Sequence, residues 1–82
     1  MSFTRHVTVT ETEHGMVLLD ERSGRYWQLN GTAATVVRLL REGSTVDEVI
    51  ARLSERHPAS AGRVAADVHG LIRALRDAKV FK

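Results

Sequence analysis

Polar and apolar positions change rhythm once along this chain. Residues 4–12, Thr-Arg-His-Val-Thr-Val-Thr-Glu-Thr, alternate around Val7 and Val9 and are rich in β-branched side chains, the pattern of a half-buried strand. After a turn at Glu13-His14-Gly15, residues 16–20 open on an unbroken apolar run from Met16 to Leu19. Such a run predicts a strand covered on both faces, the middle one of a meander. A turn over Asp20 to Gly24, pivoting on Ser23-Gly24, leads to a third strand at residues 25–29. Hairpin connectivity puts that strand at the outer edge of the sheet, where its backbone groups on one side have no predicted partner.

From Asn30 onward the period is helical. Asn30 is a good N-cap for a helix over residues 31–41, with Ala33, Ala34, Val36, Val37 and Leu40 at helical spacing and Gly43 at the stop. Thr45-Val-Asp-Glu48 matches a capping box, and Val46, Val49, Ile50 and Leu53 form one stripe of a helix over residues 46–57. Pro58 ends it. A last helix over residues 61–78 carries Val64, Val68, Leu71, Ile72 and Leu75 on its buried side. The fold class is α+β and winged-helix-like: a three-stranded antiparallel meander followed by three helices, one domain across residues 1–82.

Parity within the third strand sorts its side chains. Leu29 must turn inward to begin the core, so Trp27 shares its face, while Tyr26 and Gln28 point the other way. Trp27 reads first as a core aromatic, and a half-covered tryptophan can also floor a groove. Tyr26 divides evenly between plain surface and groove wall. On the last helix, Asp67, Gly70, Leu71, Ala74 and Ala78 form a narrow stripe that serves either as a docking face or as a close-packing face against the sheet. Asp67 fits full burial poorly, since an unpaired carboxylate there is costly.

Composition narrows the function. At 82 residues the chain is too small to enclose a deep active site, and its 43% apolar and 27% charged residues are ordinary for a globular domain. A net charge of +2 gives little long-range field. With no cysteine, thiolate chemistry and disulfides are excluded. The N-terminal residues show no signal-peptide core, and no segment approaches the ~20 apolar residues of a membrane span, so a cytoplasmic location is expected. His6, His14, His57 and His69 are scattered, without metal-ligand spacing. No serine-nucleophile or phosphate-loop pattern occurs, so neither an enzyme nor a cofactor is expected.

An open sheet edge beside helices instead suits capture of an extended peptide through its backbone. The competing reading is a winged helix-turn-helix that binds DNA, with Arg63, His69, Arg73, Arg76 and Lys79 on the last helix. Interleaved Asp67 and Asp77 weaken it. A third reading is a plain interaction domain that docks on a larger enzyme.

The order Leu-Leu-Asp-x-x-x-Gly-x-Tyr-Trp-x-Leu-Asn at Leu18 to Asn30, then Ala33-Ala34, Leu39-Leu40, Gly43, Thr45-Val-Asp-Glu-Val-Ile and Leu53, resembles the pyrroloquinoline quinone biosynthesis protein D family. These small domains recognise leader peptides of ribosomally made, modified peptides (RiPPs). The Tyr-Trp-x-Leu-Asn form and the length look most like the leader-recognition protein of lasso peptide biosynthesis. The resemblance implies that a precursor leader adds as an antiparallel strand to strand three and lies in the groove with helix three. Carried onto this chain, Arg25, Tyr26, Trp27, Gln28 and Leu29 pair with the leader through their backbone. Val64, Asp67, Val68, Leu71 and Leu75 form its side-chain pockets, and Arg63 is placed to hold an acidic leader residue. The implied partners are the leader, a separate cysteine-type leader peptidase and a cyclase, with no nucleic acid or membrane, and the protein acts as a monomer. Arg38, Arg41 and Glu42 are candidates for the peptidase-facing surface.

Overall fold

Three antiparallel strands in the order β1-β2-β3 precede three helices in a computed structural model that describes residues 3–81. The strands are β1 (Val7–Thr12), β2 (Gly15–Asp20) and β3 (Tyr26–Asn30), and the helices are α1 (Gly31–Arg41), α2 (Val46–Arg56) and α3 (Ala61–Asp77). A single 3₁₀ turn at Pro58–Ser60 joins the last two. This is the expected α+β, winged-helix-like order.

Register fixes which side chains share a face. Val9, Leu18 and Trp27 stand in one row across the sheet, and Glu11, Met16 and Leu29 in the next. Met16 and Leu18 are fully buried and Trp27 and Leu29 half-buried, so this is the inner face. Against it lie Ala34, Val36, Val37 and Leu40 of α1, Val49 and Leu53 of α2, and Val64, Val68, Ile72 and Leu75 of α3. Burying these aliphatic side chains is the main stabilising term of the fold, at about 1.5–3 kcal/mol for each fully covered one.

Local chemistry sets the helix starts. The Asn30 side-chain oxygen accepts from the Ala33 N–H at 2.9 Å. Thr45 and Glu48 form the reciprocal capping box, with Glu48 N–H to Thr45 Oγ1 at 3.1 Å and Thr45 N–H to Glu48 Oε1 at 2.9 Å. Pro58 leaves His57 outside α2 in a non-helical conformation, one residue short of the expected end. Gly15 is the first residue of β2, where the expected turn gave only a loop position; a β-carbon there would collide with the Leu29 carbonyl oxygen. Only glycine lets β2 and β3 meet at that point.

Two expectations change. β2 is central, but only its inner face is covered: Leu19 is 37% exposed and Val17 half-buried, on an outer face shared with Thr8 and Tyr26. No helix packs there, because all three lie on the other side of the sheet. The first strand begins at Val7, since Thr4 turns the chain: its carbonyl accepts the Val7 N–H at 3.1 Å, and its own N–H goes to the Val80 carbonyl at 2.7 Å.

That turn ties the N-terminal segment to the C-terminal tail, whose role the helical pattern did not reveal. Val80 and Phe81 are buried, and Phe3 stacks on Phe81 with ring centroids 4.7 Å apart. The tail is aimed by the end of α3. Lys79 takes the left-handed conformation (φ 62°), the Lys79 N–H reaches the Arg76 carbonyl, and the Val80 N–H reaches the Leu75 carbonyl, both at 2.9 Å. This is a Schellman stop, with lysine where glycine is usual and with Val80 and Leu75 both buried in the core.

Candidate peptide-binding groove

The antiparallel ladder decides which backbone groups of β3 face outward. The Asp20 N–H bonds the Arg25 carbonyl at 2.9 Å, so Asp20 and Arg25 form a hydrogen-bonded pair. By alternation Leu18 with Trp27, and Met16 with Leu29, do the same. The N–H and C=O groups of Tyr26 and Gln28 therefore point away from β2, along the open edge. Among the described residues no other strand lies beside them.

α3 leaves that edge uncovered. It packs on α2 and α1 and does not reach β3, so a trough runs between the strand and the helix with α1 at its floor. At the Asn30 end the trough deepens into a cavity of about 330 Å³. One wall is α3, with Val64, Asp67, Val68 and Leu71; the opposite side is the start of α1, with Thr32, Ala33 and Val36 beside Asn30; Leu53 of α2 closes the bottom. Its lining is aliphatic apart from Asn30, Thr32 and the exposed Asp67 carboxylate on the rim. Such a pocket binds apolar side chains and leaves one polar contact at its lip.

The expected site residues fall into three groups. Val64, Asp67, Val68 and Leu71 line one cavity, and Leu71 is the α3 leucine left part-exposed for contact. Leu75, expected beside them, is only 1% exposed and closed within the core, one turn beyond Leu71 and under the tail. It supports the floor from behind and offers no surface. Arg25, Tyr26, Trp27, Gln28 and Leu29 form the edge and its two faces: Tyr26 is 67% exposed on the outer face, while Trp27 and Leu29 are half-buried on the groove side. The Arg25 guanidinium lies 5.2 Å from the Trp27 ring centroid, a cation–π contact that holds the arginine along the inner face.

Asn30, Thr32, Ala33, Val36 and Leu53 were missed as site residues. The one sequence signal for them was the cap: β3 passes into α1 at Asn30 without a loop, which places the first turn of α1 beside the strand's end. Nothing meets a β-carbon built at Gly70, so the small-residue stripe of α3 is not packed against the sheet there. Arg63 is exposed in the first turn of α3. Of the residues expected to face a peptidase, Arg38 makes a bidentate contact to Glu11 (2.8 and 3.1 Å) and Arg41 lies 5.2 Å over the Phe3 ring. Both cations thus make contacts within the protein while keeping solvent access.

Three carboxylates are held below their ordinary range by contacts within the protein. Hydrogen bonding and charge from Arg38 hold the Glu11 carboxyl below the ordinary range, the Arg22 backbone N–H does so for Asp20, and the Thr45 N–H does so for Glu48. None of these three lines the cavity at Asn30. Among the described residues no group of three or more histidine, aspartate or glutamate side chains could hold a metal, and no helix is long and apolar enough to cross a membrane.

No curated protein matches the chain. Two solved structures share its fold along nearly the full length. A structure of TbiB1 in complex with the TbiA(beta) leader peptide superposes with a TM-score of 0.87 at 22% identity, covering 100% of this chain and 95% of that one. A lasso peptide synthetase B1 complexed with the leader peptide also gives a TM-score of 0.87, at 34% identity, over 96% of this chain and 93% of the other. The family model of coenzyme PQQ synthesis protein D (PqqD) matches residues 15–80, from the start of β2 to the buried tail. With both its sequence and its three-strand, three-helix order matched, the chain belongs to the PqqD family.

Proposed function

We propose that this protein binds the leader region of a ribosomal precursor peptide by antiparallel strand addition to β3, in the groove with α3. It then delivers the leader to a separate cysteine-type peptidase in lasso peptide biosynthesis, ahead of ring closure by a cyclase. The observation that carries this reading is the unpaired edge of β3 beside an apolar cavity in reach of the same extended ligand. Two structural neighbours, each complexed with a leader peptide, support it. In this reading the outward N–H and C=O groups of Tyr26 and Gln28 supply sequence-independent affinity, and Val64, Val68 and Leu71 select an apolar side chain. The role is recognition without catalysis, by a cytoplasmic monomer. Holding a disordered substrate extended lowers the ordering cost of the later enzyme encounter and raises the substrate's effective concentration there.

The test is a titration of the precursor's leader, followed by anisotropy or by the emission of Trp27, which borders the groove. Saturable binding at or below about micromolar is expected. Reversing charge on the solvent face of α3, Arg73→Glu with Arg76→Glu, leaves that affinity within about twofold, as exposed charges outside the groove contribute little. Absence of leader binding, together with duplex-DNA binding that the same double variant abolishes, would overturn the reading in favour of a winged helix-turn-helix.

A further inference from the structure

The other end of β3 meets a second cavity, and its chemistry is opposite to the first. β3 runs from the β2–β3 hairpin towards α1, and α3 runs back so that Ala78 and Lys79 lie beside that hairpin. There, a separate cavity of about 450 Å³ is bordered by His6, Arg22, Arg25 and Lys79. Asp20 is the one carboxylate on its wall, and its two oxygens already accept the Arg22 N–H at 3.0 Å and the Ser23 hydroxyl at 3.1 Å. Arg22, Arg25 and Lys79 make no ion pair within 4 Å among the described residues. Three cations thus border one cavity against a single carboxylate, which none of them pairs with directly. Arg25, stacked on Trp27, links them to the peptide edge.

We propose that this basic cluster receives acidic side chains of the peptide immediately C-terminal to its strand-paired segment. The inference rests on the leader-binding reading above and adds a charge requirement to it. A strand antiparallel to β3 enters at the Asn30 end and leaves at the Arg25 end. Its N-terminal part meets the aliphatic cavity with the Asp67 carboxylate on the rim, and its C-terminal continuation meets Arg25, Arg22 and Lys79. A peptide laid in the reverse direction would bring its acidic end to Asp67. The charge gradient along the groove therefore selects orientation as well as composition.

The experiment compares three probes on the unmodified protein: the precursor's leader cut after its strand-pairing segment and extended by four glutamates, four serines or four lysines. At low ionic strength the glutamate form is expected to bind roughly fivefold to tenfold more tightly than the serine form, and the lysine form more weakly than either. Raising salt to about 0.5 M collapses the difference, as screening requires. Arg22→Glu with Lys79→Glu should reverse the order of the glutamate and lysine forms while keeping the serine form within about twofold. Equal affinities for all three probes would overturn the inference and leave leader binding standing. Failure of all three to bind would overturn both. Duplex DNA lost on the same double variant, with no glutamate preference, would assign the cluster to nucleic acid and also overturn it.

Discussion

The sheet has two edges, and they are finished in different ways. At β1 the turn at Thr4 caps the Val7 N–H, and the stacked Phe3–Phe81 pair anchors the segment that precedes it. Further along, β1 carries Glu11 in the same cross-strand row as Met16, with its carboxylate solvent-accessible and paired to Arg38 of α1. A charged residue on an edge strand and an obstructed end are both devices that keep that strand from pairing with another chain. At β3 the same inner row carries Trp27 and Leu29 instead, and the outward groups of Tyr26 and Gln28 face a trough. One edge is defended, and the other is left available next to a pocket. The difference lies in side chains and termini, because the two strands differ little in length and belong to one sheet.

Proline tests that contrast most directly, since it deletes one N–H and adds bulk at the edge without touching the ladder bonds on the other side. Gln28→Pro should weaken leader binding at least a hundredfold, by losing the outward donor and blocking close approach of the incoming strand. At the opposite edge, Val9→Pro removes an outward N–H of β1 and should leave affinity within about threefold. Isothermal titration on both variants, with circular dichroism to confirm the fold, decides it; equal losses would mean that the edges are not distinguished. A smaller loss, roughly tenfold to thirtyfold, is expected for Leu71→Asp. That residue contributes part of a leucine's burial on binding, about 1.5–2 kcal/mol. Its melting temperature should move by only a few degrees, because Leu71 is already part-exposed.

How far the sequence reveals this contrast depends on whether the signal is local. The Thr45–Glu48 capping box, the Asn30 cap and the parity of Trp27 with Leu29 are statements about residues within a turn or a strand, and the structure places each as read. The Met16 to Leu19 run misleads, because apolar content does not by itself mean coverage; whether a helix lies on the second face is not written in the strand itself. The cavity at Asn30 joins three helices and a strand end, so Thr32, Ala33 and Leu53 could be found only after their packing was known. Leu71 and Leu75 are both apolar positions of α3, and the tail that seals one while sparing the other is too short to show any periodicity. The obstruction of the β1 edge was unreadable for the same reason, as it depends on Phe3 meeting Phe81 from opposite ends of the chain.

That obstruction can be strengthened. Lys79→Gly relieves the left-handed backbone that directs Val80 and Phe81 under the sheet, and should raise stability by about 1 kcal/mol, or roughly 4–8 °C in melting temperature. Leader affinity through the groove should not change, whereas the preference for a glutamate extension should fall, because one of three cations is lost. A variant that melted lower would show that the lysine side chain contributes more to the tail than its backbone costs.

The smallest expected effect concerns the charge that defends β1. Glu11 titrates below the ordinary carboxylate range in the folded protein because Arg38 hydrogen-bonds its charged form, so its folded value lies under its unfolded one. A depressed carboxylate contributes stability that is fully present above the unfolded value, about pH 4–5, and is lost as pH falls through the folded value. Both partners are solvent-accessible, so the gain is screened and modest. Glu11→Gln should therefore melt slightly below the unmodified protein at pH 7, and the gap should close on acidification towards pH 3. The same substitution removes the charge from the β1 edge strand and leaves β3 intact. Leader binding should be unchanged, while concentration-dependent self-association, measured by sedimentation velocity, should rise; a variant that stays as monomeric as its parent would place the defence of that edge in the Thr4 turn and the terminal aromatic stack alone.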